Sequence, residues 1–177
     1  LREIMSEKIK LKKSFIDRFR EWHHYNRYKI MKNLIMSENI TEPKLLDIGC
    51  GKPCPSMNDG AFLEYVGFGE GIDIKSRNIK FPLRVGNVEN IPYPDNSFDI
   101  VVAGEVLEHT ANPEKALKHI KRILKPRGTF IFTTPNCTTF WNIFWFFWES
   151  TFGRMWKSLH TIKYTQKQWL ELLKKYF

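Results

Sequence analysis

Short apolar runs, each bounded by glycine, proline or polar residues, constrain the fold of this chain more than any other feature. Runs of this kind are typical of strands buried on both faces of a sheet. The segment Asn112-Pro113-Glu114 predicts a helix start between the last two runs, and Lys125–Gly128 predicts its end. Strands alternating with helices indicate an α/β protein with a mostly parallel sheet and flanking helices. The five predicted strands are Lys44–Ile48, Gly71–Ile74, Pro82–Val85, Ser97–Ala103 and Thr129–Thr133.

Two helical segments flank this core. Apolar residues recur near helical spacing over residues 3–38, and a last helix is predicted from about Thr165 to Tyr176. We therefore divide a single domain into an N-terminal helical segment (1–43), a core (44–136) and an aromatic-rich cover segment with the last helix (137–177). A length of 177 residues and a hydrophobic fraction of 42% suit one packed core. Three cysteines are too few for a disulfide framework, which predicts a reducing, cytoplasmic location.

The net charge of +9 suggests an anionic partner, but it is unevenly distributed. Residues 1–44 carry 11 basic and 6 acidic side chains, residues 150–177 carry 6 and 1, and residues 45–149 carry 11 and 12. The central core is therefore close to neutral, and the positive charge belongs to the flanks. This distribution makes a nucleic-acid partner less favoured than a small molecule.

Polar and flexible residues follow the first two predicted strands. In an open parallel sheet, ligands bind beyond the carboxyl ends of the strands. The first strand leads through Asp47 into Gly49 and Gly51, whose backbone can approach a ligand closely. The second strand contains Asp73, where a carboxylate can accept hydrogen bonds from both hydroxyls of a ribose. The third glycine of a dinucleotide-binding fingerprint is replaced by Cys54, so that interpretation fails.

A series of motifs in register closely resembles the class I S-adenosylmethionine-dependent methyltransferases, specifically their type 11 small-molecule branch. The motifs are Asp47-x-Gly49-x-Gly51, Gly71-Ile-Asp73, Gly86-Asn-Val-Glu89, Ile91–Asp99, Val106-Leu-Glu-His109 and Leu124–Gly128. The resemblance covers about residues 44–136 and implies a Rossmann-like sheet with S-adenosylmethionine as cofactor. In that family the sheet continues into a final strand pair, which this sequence lacks. We therefore expect a sheet of about five strands from a fragment.

The resemblance also implies roles for individual residues. Gly49 and Gly51 would lie under the methionine part of the cofactor, with Asp47 holding nearby backbone or the amino group. Asp73 would bind the ribose, whereas the Asn87 side chain and the Val88 backbone would contact the adenine. Asn87 replaces the acid usual in the family, and its oxygen is a weaker acceptor than a carboxylate.

Two residues are candidates for catalysis. Glu105 follows the fourth strand and would lie beside the methionine moiety and the transferring methyl group. His109 and Glu105 are candidate bases for a hydroxyl acceptor, although an amine or carboxylate acceptor would need none. Cys50, Cys54 and His109 lack a second ligand pair at zinc spacing, so no metal site is predicted.

The segment Phe140–Trp148 has seven aromatic residues in nine positions. A segment apolar on all sides packs against the protein, covers an apolar substrate, or contacts lipid or a second subunit. Basic residues close by make residues 140–156 a candidate contact with a membrane surface. The function predicted is methyl transfer to an unidentified small-molecule or lipid-like acceptor. The alternatives are an RNA methyltransferase that uses the basic flanks and a non-catalytic binding subunit that keeps the cofactor fold.

Overall fold

The computed structural model describes residues 15–51, 62–76, 79–135 and 164–177 of the chain, and it describes side chains from residue 21 onward. The predicted aromatic segment 140–148, the membrane contact at 140–156, helix residues 3–14 and Cys54 lie outside these ranges. The described elements are α1 (Phe15–Ser37), β1 (Leu45–Ile48), α2 (Phe62–Val66), β2 (Glu70–Asp73), β3 (Leu83–Val85), β4 (Phe98–Gly104), a 3₁₀ turn (Leu107–His109), α3 (Pro113–Ile123), β5 (Leu124–Thr133) and α4 (Gln166–Tyr176).

The five strands form one sheet in the order β3-β2-β1-β4-β5, and every neighbouring pair is parallel. The central strand β1 is buried at all four positions, as its unbroken apolar run predicts. The predicted α/β class and five-stranded parallel sheet are confirmed. The strand order reverses direction between β1 and β4, so the crevice available to a ligand lies at the carboxyl ends of these two strands.

Alternate side chains of the strands enter two apolar layers, one on each face of the sheet. On one face Leu46 and Ile48 pack with the buried stripe of α3 and with Trp169 of α4. On the other face Leu45 packs with α1 and α2, including Met31. Asp47 follows Leu45 at a spacing of two residues, so its side chain belongs to the face that α1 covers.

The start of α3 is as predicted, because the Asn112 side chain accepts a hydrogen bond from the Lys115 backbone N–H (2.9 Å) and Pro113 occupies the first turn. The helix ends at Ile123. The residues predicted to form only a turn, Lys125–Gly128, instead belong to β5, which begins at Leu124 rather than Thr129. Leu124 pairs with Phe98, and a register shift between Phe98 and Ile100 accommodates the extra residues.

Smaller differences concern strand ends. The strand β2 begins at Glu70 and ends at Asp73, one residue earlier than predicted at both ends. Ile74 lies beyond the last backbone pairing of β2 and is 67% exposed, so its apolar character does not report a buried strand position. The predicted third strand loses Pro82, whose backbone carbonyl nevertheless accepts a hydrogen bond from Gly71 N–H (2.8 Å).

Candidate functional site

The two predicted carboxylates of β1 and β2 lie next to one another at the carboxyl edge of the sheet. Asp47 is 3% exposed and Asp73 is 6% exposed. Burial raises the pKa of Asp47 to about 8, Arg27 of α1 opposes this shift, and Asp73 adds to it. One Asp73 carboxylate oxygen accepts a hydrogen bond from the Lys75 backbone N–H (3.0 Å). A ligand that brings positive charge to this edge would favour the ionised form of Asp47.

The loop after β1 requires glycine at its first position. Gly49 has φ of +73°, and its backbone N–H donates to the Ile72 carbonyl (2.8 Å). A Cβ at this position would overlap a methyl group of Val106, which comes from the loop after β4. These two loops are therefore in contact at the crevice between β1 and β4. Gly51 is half-buried in the bend that follows.

The candidate adenine contacts follow β3. Val88 is buried, whereas Asn87 is exposed and its side-chain oxygen accepts a hydrogen bond from the Glu89 backbone N–H (2.8 Å). The Glu89 carboxylate accepts two further hydrogen bonds, from the Ala111 and Asn112 backbone N–H groups (2.7 and 3.0 Å). Glu89 therefore fixes the loop after β3 to the start of α3. The role of Asn87 and Val88 in binding adenine stays a prediction.

Glu105 forms an ion pair with a residue that the sequence did not indicate. Its carboxylate lies 2.7 Å from the Arg27 guanidinium, and the two side chains are 26% and 9% exposed. Burial favours the neutral acid, but Arg27, together with His24 and His23, holds the pKa of Glu105 below its ordinary value. Glu105 also has φ of +56°, and its backbone N–H donates to Thr133 in β5 (2.9 Å). A carboxylate of lowered pKa is a weak base.

The 3₁₀ turn after β4 separates two neighbouring candidates. His109 is exposed, whereas Glu108 is only 1% exposed. Burial raises the pKa of Glu108 to about 8; its own backbone N–H and Arg27 lower it, and Glu105 raises it. The structure therefore places Glu108 near Glu105 and Arg27 and places His109 at the surface. The catalytic role predicted for His109 stays a prediction.

Arg27 brings the carboxyl groups of three separate segments into one electrostatic cluster. It interacts with Asp47, Glu105 and Glu108, which belong to β1 and to the loop and turn that follow β4. Two buried carboxyl groups and one half-buried carboxyl group around one guanidinium are suited to a ligand that carries further positive charge. S-adenosylmethionine, with an ammonium and a sulfonium, has this chemistry, so the residues present fit the cofactor.

Other types of site are not found among the described residues. Within the described ranges, no group of three or more His, Cys, Asp and Glu side chains is placed to hold a metal ion. Cys50 is buried beside Gly71 and belongs to no disulfide in the described part of the chain. No helix in the part of the chain that the structure describes is sufficiently long and apolar to cross a membrane.

Residues 46–132 match a family model described as a methyltransferase domain. An uncharacterized methyltransferase from Schizosaccharomyces pombe is 33% identical over 108 residues, which cover 48% of this chain and 37% of that protein. A demethylmenaquinone methyltransferase from Symbiobacterium thermophilum is 31% identical over 101 residues, which cover 49% and 40%. The chain thus spans about two-fifths of the length of these relatives.

The fold is also similar to that of solved structures. An S-adenosylmethionine-dependent methyltransferase from Thermotoga maritima superposes with a TM-score of 0.63 at 20% identity, covering 91% of this chain and 76% of that one. At this level of identity the superposition concerns the fold.

Proposed function

The chain belongs to the class I S-adenosylmethionine-dependent methyltransferases, and from this premise we propose that it transfers the cofactor's methyl group to a small-molecule or lipid-like acceptor. The observation that carries the proposal is the convergence of Asp47, Asp73 and Glu105 at the carboxyl ends of β1, β2 and β4, around the glycine loop. When bound, S-adenosylmethionine supplies an activated methyl group on a sulfonium leaving group.

The residues of the chain bind and orient the cofactor in this proposal. Asp73 accepts hydrogen bonds from the ribose hydroxyls, and the backbone at Gly49 and Gly51 contacts the methionine part. Asp47 is the partner of the ammonium, because a buried carboxyl group beside a cation becomes ionised. Asn87 and Val88 lie at the adenine end. Alignment and exclusion of water then account for most of what the protein contributes to the reaction.

Glu105 is proposed to hold α1 and the loop after β4 in position rather than to remove a proton from the acceptor. Its ion pair with Arg27 ties α1 to the loop after β4, and its lowered pKa makes it a poor proton acceptor. An acceptor such as an amine or a carboxylate, which attacks without prior loss of a proton, suits a site with this property. His109 remains the alternative base for a hydroxyl acceptor, from its exposed position on the turn.

Calorimetric titration with S-adenosylmethionine tests the cofactor site. We expect Asp73→Asn to weaken binding by about 10- to 100-fold, because two hydrogen bonds to a carboxylate are replaced by bonds to a neutral amide. Glu171→Gln is the matched control, since Glu171 is exposed on α4. Equal affinity of wild type and Asp73→Asn, or no binding by the wild type, would overturn the proposal.

The proposal also includes the chemical nature of the methyl acceptor and the cellular location of the protein. The helix α1 exposes five large apolar or aromatic side chains beside basic residues: Trp22 (62%), Tyr25 (47%), Ile30 (60%), Leu34 (47%) and Met36 (50%). This surface favours a lipid-like acceptor or a contact with a membrane surface in the cytoplasm. Co-sedimentation with phosphatidylglycerol vesicles tests this contact, and Ile30→Ser should weaken it.

Binding to RNA that falls steeply with added salt would instead support the RNA methyltransferase. Cofactor binding without transfer to any acceptor would support the binding subunit.

A further inference from the structure

Glu108 differs from the half-buried acids Asp99 and Glu70 in how its carboxyl group is surrounded. Asp99 binds the Lys125 ammonium (2.8 and 2.9 Å), and Glu70 accepts a hydrogen bond from the Tyr93 hydroxyl (2.8 Å). Neither carboxyl oxygen of Glu108 has a well-formed hydrogen bond to another residue in the ranges that the structure describes. A buried carboxyl without a partner is costly, and costliest as the anion.

The charges around Glu108 explain its protonation state in the protein without a bound cofactor. Arg27 is the cation that acts on it, but the guanidinium lies 2.7 Å from Glu105 and is shared with that residue. Glu105 opposes ionisation of Glu108 because it carries the same charge. His24 and His23 of α1 act on Glu105. Burial and the neighbouring Glu105 anion keep Glu108 a neutral acid near neutral pH, because Arg27, which favours the Glu108 anion, is shared with Glu105.

The position of Glu108 connects it to the cofactor crevice. The segment from Glu105 runs through Val106, which contacts Gly49 at the end of β1, and Glu108 follows in the next turn. Glu108 therefore lies at the end of β4 on the wall where the methionine part and the sulfonium are proposed to bind. The sulfonium is a positive charge that the reaction removes, since methyl transfer leaves a neutral thioether.

We propose that Glu108 is the group whose charge follows that of the cofactor, as a neutral acid in the free protein and as a carboxylate when the cationic sulfonium is bound. The inference rests on the proposed function and adds to it a residue that selects cofactor over product. Binding of S-adenosylmethionine releases the Glu108 proton to solvent. Binding of S-adenosylhomocysteine, which is neutral at sulfur, leaves the proton in place.

Calorimetry of both compounds in buffers of different ionisation enthalpy tests this inference. We expect the wild type to release about 0.7 more protons with S-adenosylmethionine than with S-adenosylhomocysteine at pH 7.5, if the positive charge of the sulfonium lowers the Glu108 pKa of about 8 by about two units. In Glu108→Gln this difference disappears, and the preference for S-adenosylmethionine at pH 7.5 falls by about 20-fold. Asp47 responds to the ammonium common to both compounds, so it cancels from the comparison.

A second measurement tests the inference on the wild type alone, so that it does not depend on the folding of Glu108→Gln. In the wild type, the preference for S-adenosylmethionine over S-adenosylhomocysteine should rise about 20-fold between pH 6 and 8, because the free-energy cost of removing the Glu108 proton falls as the pH rises. Glu171→Gln should retain both the proton release and the preference. An unchanged preference in Glu108→Gln, or a pH-independent preference in the wild type, would overturn the inference while leaving the methyltransferase assignment intact. Failure of the wild type to bind either compound would overturn the proposed function instead.

Discussion

Replacing Arg27 by methionine removes the guanidinium from the carboxyl cluster and keeps most of the aliphatic stem. The perturbation leaves Glu105 without the cation that lies 2.7 Å away, at a site where the two side chains are 9% and 26% exposed. Breaking a fully buried pair costs about 3–5 kcal/mol, and breaking an exposed one costs about 0–1 kcal/mol. Because Glu105 keeps partial access to solvent, we expect a loss of about 2 kcal/mol in the free energy of unfolding. For a chain of this length that is about 4–8 °C in Tm.

The loss should depend on pH in a definite direction. Arg27 lowers the pKa of Glu105 below its ordinary value of 4.5. A lowered pKa of an acid means that the pair stabilises the fold fully above the ordinary value and less as the pH falls through the lowered value. Urea unfolding of wild type and Arg27→Met at pH 7 and pH 3.5 measures this difference. We expect the destabilisation to be largest at pH 7 and to shrink at pH 3.5.

Two comparisons separate the ion pair from other effects of the substitution. A double-mutant cycle with Glu105→Gln should give a coupling energy of about 1–2 kcal/mol at pH 7. Lys175→Met, which removes an exposed partner of Glu114, should leave the unfolding midpoint unchanged. An equal loss for Arg27→Met at both pH values, or a coupling near zero, would refute the reasoning and show that Arg27 contributes by packing alone.

Two further substitutions test the carboxyl edge. Gly49→Ala should lower the free energy of unfolding by about 2 kcal/mol or more and abolish cofactor binding, because φ is +73° and the new Cβ would overlap Val106. Melting curves measure the stability, and titration with S-adenosylmethionine measures the binding. A Gly49→Ala variant as stable as the wild type would contradict the expectation. Asp47→Asn should become more stable relative to the wild type as the pH rises from 5 to 8.5, because a folded-state pKa raised to about 8 destabilises the fold between the ordinary value and that pH. If the free energy of unfolding changed equally with pH in the wild type and in Asp47→Asn, Asp47 would not be held neutral in the folded protein.

The sequence was sufficient to predict the sheet and the backbone of the site, because both depend on local patterns. The apolar run of β1 and the cap at Asn112 are read from neighbouring residues, and both are confirmed. The extension of β5 back to Leu124 was missed because Pro126 and Gly128 are typical of a turn. Pairing with β4, which no local pattern reports, keeps these residues extended.

The charged cluster could not be predicted, because its members come from distant parts of the chain. Arg27 belongs to a helix rich in charge, where a basic residue is normally taken to be solvated. The motif around Glu108 and His109 was recognised, but only the geometry of the 3₁₀ turn decides which of the two side chains is buried. The sequence pattern favoured the histidine as a candidate, and the structure buries the acid beside it.

The attachment points of α1 have a consequence for the order in which the molecule is assembled. Lys32 donates a hydrogen bond to the Tyr65 carbonyl (3.2 Å), and Glu38 accepts one from the Thr129 hydroxyl (2.8 Å), contacts that join residues 33 and 91 positions apart. On a ribosome, α1 emerges before every one of these partners. Its apolar stripe packs with β1, α2, β4 and β5, so it is covered completely only when β5 has been synthesised. Complete docking of α1 is therefore a late step, and the unfinished chain is a candidate for chaperone binding.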